Sequence, residues 1–334
     1  MKAIVYKGKD QISLEEIELP RPKKGWALVK VSHVGICGTD LNIYAGTHPR
    51  AKAPLVMGHE FSGVLEQDTS QIPKGSRVTS YPLLSCGKCE ACLTGNSHVC
   101  STLGLLGIDC DGAMAEYIQV PIETLVRLGD GVSNELGALV EPIAVAVHAL
   151  RESNFTSGDN AVVFGCGTIG LVTALTLRQF GASSVTMVET NPLRAELAKN
   201  LGFNVLDPTD THFFDRVSKI TYGTGFDWVF DCAGVQAVAG LLLDTVKVKG
   251  KIVIIAAYKY PASMPLIKGM FKEVSIQFVR VYRKKDFEIA ALLAAKEPLY
   301  RKIITHVLDS KSCQEGFDLL LSGNSDAVKV MFAF

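Results

Sequence analysis

Four cysteines within fifteen positions, Cys86-x-x-Cys89-x-x-Cys92-x7-Cys100, form the sharpest chemical feature of the chain. Thiolates at this spacing can close a tetrahedral shell around one zinc ion. A four-sulfur shell leaves no coordination position open, so this zinc is expected to be structural. Gly87, Lys88, Gly95 and Asn96 suit the tight turns that aim several sulfurs inward. An iron–sulfur cluster also takes four cysteines and is the second reading; four free thiols are the third.

A second motif is Gly165-Cys166-Gly167-Thr168-Ile169-Gly170, which fits G-x-G-x-x-G. It follows the apolar run Ala161 to Phe164 and opens the helical pattern Ile169 to Phe180. In that context the pattern reads as a dinucleotide-binding turn. Its glycines let the backbone approach a pyrophosphate, and free N–H groups at the helix start, from Thr168 and Ile169, meet the charge. Glu189 lies 19 residues after Gly170, at the end of the next strand. An acid there binds ribose hydroxyls and repels a 2′-phosphate, so NAD is expected rather than NADP. Arg194 either lies against the adenine or offers a cation to a phosphate. The bland alternatives are a turn with no ligand and a surface carboxylate.

Further candidate ligands are scattered: Cys37 in Gly35-Ile36-Cys37-Gly38-Thr39-Asp40, His59 and Glu60 after Gly58, and Glu141 before Pro142. Taken singly, a cysteine is usually buried packing, His-Glu a polar loop pair, and Glu-Pro an element end. Together with Gly112 to Tyr117, Leu139 to Pro142, the four-cysteine lobe and the Gly-rich turn, they resemble the medium-chain, zinc-containing alcohol dehydrogenases along nearly the whole chain. Glu141-Pro142 is most similar to the polyol (sorbitol), threonine and butanediol branch; the ethanol-oxidising branch carries a cysteine there.

That resemblance implies a catalytic zinc held by Cys37 and His59, with Glu60 and Glu141 either ligands or separated from zinc by water. It implies hydride exchange between a secondary alcohol and NAD, giving a ketone, with a polyol or sugar alcohol as substrate. An amino alcohol such as threonine, or a butanediol, is the alternative substrate. A sensor or structural subunit that binds NAD is the non-enzymatic reading. Thr39 is the hydroxyl that would take the substrate's proton. The family often continues the relay through a histidine where this chain has Asn42, which is no base at neutral pH. His48, or a water held by Glu141 or Glu60, could substitute; the bland reading of His48 is a solvated loop residue. Arg280 falls in a region that contacts cofactor or substrate, or else sits on a strand edge. The family further implies a homodimer or homotetramer, with the apolar strand ending near Arg280 as a contact.

These groups need two kinds of scaffold. Residues up to about 140 read as short strands punctuated by glycine and proline, with Ala27 to Val31, Phe61 to Leu65 and Arg77 to Ser80 as examples. From Pro142 to Leu150 the pattern is helical. β-branched strands (Ala161 to Phe164, Ser184 to Glu189, Asp227 to Asp231, Lys251 to Ala256) then alternate with helices such as Arg194 to Leu201, which implies a parallel sheet. Asp286 to Ala295 is helical, and the alternating Val328 to Phe332 is a strand expected to return to the first domain. The resemblance names these parts: a GroES-like β-barrel catalytic domain over residues 1–142 with the structural-zinc lobe, a Rossmann doubly wound α/β domain over 143–281, and the returning segment 282–334. At 334 residues, 20% charged and with zero formal net charge, the chain offers no electrostatic case for nucleic acid or an anionic membrane. It has no apolar run of roughly 20 residues and no signal-like start, so a cytoplasmic protein is expected. Its nine cysteines then read as ligands or buried thiols.

Overall fold

Ala27, Val29, Val31 and Val34 are buried along the strand Trp26–Gly35, which organises the β-rich part of the chain. A computed structural model describes residues 1–323 and 326–334. Trp26–Gly35 pairs antiparallel with Glu60–Leu65, Tyr117–Pro121 and Lys329–Ala333. These strands join Leu125–Arg127, Arg77–Ser80 and Ile304–Asp309 in a seven-stranded sheet. A three-stranded sheet of Gln11–Glu16, Lys2–Gly8 and Leu55–Val56 completes the main β framework of this GroES-like domain.

The later part alternates strand and helix. Its six strands are all parallel, in the order Asn204–Leu206, Ser184–Val188, Asn160–Phe164, Phe226–Asp231, Val246–Ile254, Ser275–Phe278. By chain position that is 3-2-1-4-5-6, the doubly wound dinucleotide-binding order, whose ligands lie at the carboxyl ends of the strands. Val162, Phe164, Val229, Ile252 and Ile254 fill the core against the covering helices.

The chain divides into two compact units, Met1–Ala144 with Tyr282–Phe334, and Val145–Val281. The first crossing falls inside the helix Val140–Glu152, so Glu141, in its first turn, belongs to the first unit. Among the described residues no helix is long and apolar enough to cross a membrane.

The alternating Val328 to Phe332 forms a strand as expected, and Lys329–Ala333 is buried along four of its five residues. It lies between Trp26–Gly35 and Ile304–Asp309 inside the seven-stranded sheet, where both faces are covered and alternation does not report exposure.

Candidate active site and metal centres

Cys37 is the N-cap of the helix Gly38–Tyr44, just after the central strand, and Glu60 begins the neighbouring strand. Strand register sets Gly35 opposite Glu60, which brings the two segments side by side. One donor atom from each of Cys37, His59 and Glu60 lies within 4.8 Å of the others. Gly35 is required here, because a Cβ at that position would overlap the Glu60 carboxylate. Glu141 is not part of this three-residue group. It is buried nearby and its Oε1 accepts a 2.6 Å hydrogen bond from Tyr282 Oη.

Three partners of these side chains carry no motif in the sequence. Asp40 accepts from the Cys37 backbone N–H at 2.8 Å through Oδ2, while its Oδ1 stands 3.9 Å from His59 Nδ1. Lys329 donates to Glu60 Oε2 at 2.5 Å and to the Ile36 carbonyl at 2.8 Å. Tyr282 is fully buried, and Tyr81 Oη donates to its carbonyl. Asp40 could have been suspected from its place three residues after Cys37 on a helix. Lys329 and Tyr282 sit far from the site in sequence and had no local signal.

The electrostatics follow from this burial. Desolvation pushes Glu141 up to about 7, with His59 pulling it down and Glu60 raising it further. Burial pulls His59 down, but the Cys37 sulfur, Asp40 and Glu141 hold it well above the ordinary imidazole range. Burial also lowers Lys329, and Glu60 more than restores it. The group thus gathers one sulfur, three carboxyl groups and one imidazole beside the buried Lys329, donor types that a metal ion takes.

Zinc fits these residues. Asp40 Oδ1 and His59 Nδ1 are both buried with no hydrogen-bond partner among the described residues. A metal-ligating histidine ordinarily directs its second ring N–H at a carboxylate, which is the use this pair of atoms has. A soft sulfur, an imidazole and a carboxylate are zinc donors, and three of them leave a position for substrate.

Thr39 is half-buried in the first turn of the helix that starts after Cys37. The Asn42 carbonyl accepts from the backbone of Thr47 and His48. His48 is not gathered into the metal group; its Nδ1 accepts from the backbone N–H of Ala51 at 3.2 Å and of Arg50 at 3.4 Å. Burial and the neighbouring Arg50 lower its pKa, against Asp109, which raises it. Arg280 is not on a strand: the edge strand ends at Phe278, and Arg280 is exposed beyond it.

All four lobe cysteines offer sulfurs within 4.8 Å of one another. Cys89 and Cys92 sulfurs are 3.5 Å apart, and Cys86 and Cys92 sulfurs 4.0 Å. A tetrahedron with Zn–S bonds of ~2.3 Å has sulfur–sulfur edges of ~3.8 Å, so the spacing suits one zinc ion. A multi-iron cluster, standing between its cysteines, needs them farther apart. Amide N–H groups of Ser101 and Cys92 hold the Cys89 thiol down, to about 6. The short helix Glu90–Leu93 buries no residue.

In the second unit, the Gly-rich turn leads from Asn160–Phe164 into the helix Thr168–Gln179, with Gly167 as N-cap. A Cβ on Gly170 would strike the Gly165 carbonyl, whereas Gly167 faces open space, as close approach of a ligand to the backbone requires. Glu189 follows the strand Ser184–Val188 and reaches back to the turn. Its Oε2 accepts from the Cys166 N–H at 2.7 Å, and its Oε1 from Thr190 and Asn191 N–H at 2.8 Å. Arg194 stands in the first turn of Pro192–Asn200 and has a buried Nε with no partner among the described residues. These residues fit the ribose–phosphate part of a dinucleotide.

Residues 23–130 match the alcohol dehydrogenase GroES-like domain and residues 168–296 the zinc-binding dehydrogenase domain, and the chain belongs to the medium-chain zinc alcohol dehydrogenase family. It is 35% identical to 2-dehydro-3-deoxy-L-galactonate 5-dehydrogenase of Pseudoalteromonas atlantica, over 88% of this chain and 87% of that one. It is 32% identical to L-threonine 3-dehydrogenase of Bacillus subtilis, over 98% of this chain and 97% of that one. Its fold superposes on the crystal structure of 2R,3R-butanediol dehydrogenase from Bacillus subtilis with a TM-score of 0.92 at 30% identity, covering 100% and 99% of the two chains. The family and these relatives make the chain an enzyme of alcohol oxidoreduction.

Proposed function

We propose that the chain interconverts a secondary alcohol of a polyol or sugar-derived substrate and its ketone, with NAD as hydride partner. The observation that carries this reading is the buried group of Cys37, His59 and Glu60, with Glu141 held beside it by Tyr282. Zinc held there supplies Lewis acidity at the substrate oxygen, and NAD supplies the hydride acceptor. Cys37 and His59 are the ligands, with Asp40 orienting the imidazole. Lys329 holds the Glu60 carboxylate in place by donating to Oε2, and Tyr282 fixes one oxygen of Glu141. Thr39 Oγ1 accepts a hydrogen bond from the substrate's hydroxyl and passes its own proton on to solvent water as the substrate's proton is taken. The four-cysteine lobe holds the structural zinc.

The substrates in the names of the three relatives share a secondary hydroxyl beside a second heteroatom, which suits a polyol or diol. An amino-acid substrate needs a cation for its carboxylate. Arg50, one candidate, already donates to the Leu103 carbonyl at 2.6 Å and pairs with Asp109 at 3.3 Å, which favours the polyol reading over the threonine-like one. A panel of sugar alcohols, diols and amino alcohols, followed by NADH absorbance, tests the choice. The best kcat/KM is expected on a polyol or diol. Fastest turnover of threonine would move the assignment to amino alcohols, and no turnover of any polyol or diol would refute the polyol reading.

Glu189 supports NAD over NADP, because its charge is fixed at the turn. Glu189→Ser is expected to raise the ratio of kcat/KM for NADP to that for NAD by about tenfold or more. A wild-type chain that already prefers NADP would contradict the role given to this carboxylate.

The chain's assembly follows from one apolar face. Leu266, Ile267, Met270 and Phe271 are exposed on the helix Leu266–Lys272, and Phe278 on the adjacent edge strand. A second copy covering this face gives a dimer. Sedimentation should show Phe271→Glu lighter than wild type, and a monomeric wild type would exclude the dimer. No cysteine is paired in a disulfide among the described residues, and five of the nine are assigned to zinc, which suits a reducing cytoplasm.

A further inference from the structure

Asp231 ends the strand Phe226–Asp231 and is fully buried, yet it has no part in the chemistry assigned above. Its two oxygens serve different loops. Oδ1 accepts from the backbone N–H of Ala233 at 2.9 Å and Gly234 at 3.0 Å. Oδ2 accepts from Tyr258 Oη at 2.5 Å. Its backbone carbonyl accepts from Ile255 and Ala256, just past the next strand. A single carboxylate thus ties together the loops that leave two adjacent central strands.

These loops also touch the Gly-rich turn. The Cys232 N–H donates to the Phe164 carbonyl at 3.0 Å, and a Cβ built on Gly165 would meet Ala233 at 3.4 Å. Gly234, at a φ of +66°, packs so closely on the 256–257 backbone that a Cβ would lie 2.9 Å from the Ala256 Cβ. Tyr258 packs its ring against the apolar core of this unit. The connected set therefore runs from Tyr258 through Asp231 and residues 233–234 to the turn at Gly165. All of it lies at the carboxyl ends of the strands, where a parallel sheet of this order binds its ligand. A phenol bonded to a buried carboxyl group is a strong constraint, because without it Oδ2 loses its side-chain donor in the interior.

We propose that Tyr258, acting through Asp231, is a positioning residue for the dinucleotide: it fixes the 233–234 and 255–258 loops in binding-competent form before the cofactor arrives. This rests on the dinucleotide reading of the second unit. Preorganised loops spare the cofactor the cost of ordering them, so their loosening appears as lost affinity.

The test uses the full zinc-loaded chain and titrates NADH by its fluorescence. Tyr258→Phe is expected to raise the NADH Kd by about tenfold, to raise KM for NAD without lowering kcat, and to leave zinc content unchanged. A matched control is Trp228→Phe, which removes the buried indole N–H bond to Asp159 Oδ2 (2.8 Å) towards the amino end of the same sheet. It should lower the Tm and change the NADH Kd by less than about twofold. An unchanged Kd in Tyr258→Phe, or an equal rise in both variants, overturns the proposal. Asp231→Asn keeps an acceptor for the Ala233 and Gly234 N–H groups, and it too should weaken NADH. If Tyr258→Phe does not fold, this variant decides by the same criterion. A wild-type chain that binds neither NADH nor NADPH would instead refute the dinucleotide reading itself.

Discussion

Replacing Cys37 with alanine is expected to abolish alcohol-dependent NADH formation, by about a thousandfold or more, while the chain stays folded. A Lewis-acidic ion contributes several kcal/mol of transition-state stabilisation, and each ~1.4 kcal/mol is a factor of ten in rate. Cys37 is the soft donor of a three-residue group, so its loss strips the ion of its strongest protein ligand. The fold should survive because the Cys37 backbone N–H, retained in alanine, still bonds the Asp40 side chain and so keeps that half of the capping box. The four-cysteine lobe lies in a separate loop and keeps its zinc. Near-wild-type circular dichroism with one zinc lost and no turnover is the predicted outcome. A Cys37→Ala chain with full activity would exclude the mechanism.

Lys329→Met should cost about 3–5 kcal/mol of stability, because it strands the buried Glu60 carboxylate. Lys329 and Glu60 are both almost wholly inaccessible, and their contact at 2.5 Å is the lysine's only ion pair among the described residues. Methionine matches the lysine stem, so the loss is mainly electrostatic. For a unit of this size the midpoint of thermal unfolding should fall by roughly 10 °C. The deficit should be larger after chelation, when no metal cation stands near Glu60. Adding Glu60→Gln to Lys329→Met removes the stranded charge and should restore much of the lost stability. An unchanged melting temperature in the single variant would show that the pair is not the support assigned to it.

The sequence made some of this legible and hid the rest for physical reasons. Cys86 to Cys100 and Gly165 to Gly170 could be read directly, since their chemistry is complete within fifteen and six consecutive positions. The parallel sheet followed from apolar strands alternating with helices, and its order placed the Gly-rich turn after the first strand. Cys37, His59, Glu60 and Glu141 could be nominated only through family resemblance. Their meeting depends on the register of Gly35 against Glu60, a tertiary fact. Lys329 carried no signal as a partner of Glu60, because the two lie 269 positions apart and meet only in the folded sheet. Arg280 was expected to contact cofactor or substrate or to sit on a strand edge; it lies exposed two residues past the end of the edge strand. The Asp231–Tyr258 bond joins residues 27 apart across two loops, and no residue pattern announces it.

Zinc counted per chain, alongside NADH formation from a polyol or diol, tests the central claim most directly. The account predicts two zincs in the wild type, one for the Cys37 group and one for the four-cysteine lobe. Chelation of the Cys37-site zinc should stop alcohol-dependent NADH formation, and added zinc should restore it. Turnover that continues undiminished after that zinc is gone would contradict the assignment of Cys37, His59 and Glu60 as the catalytic centre.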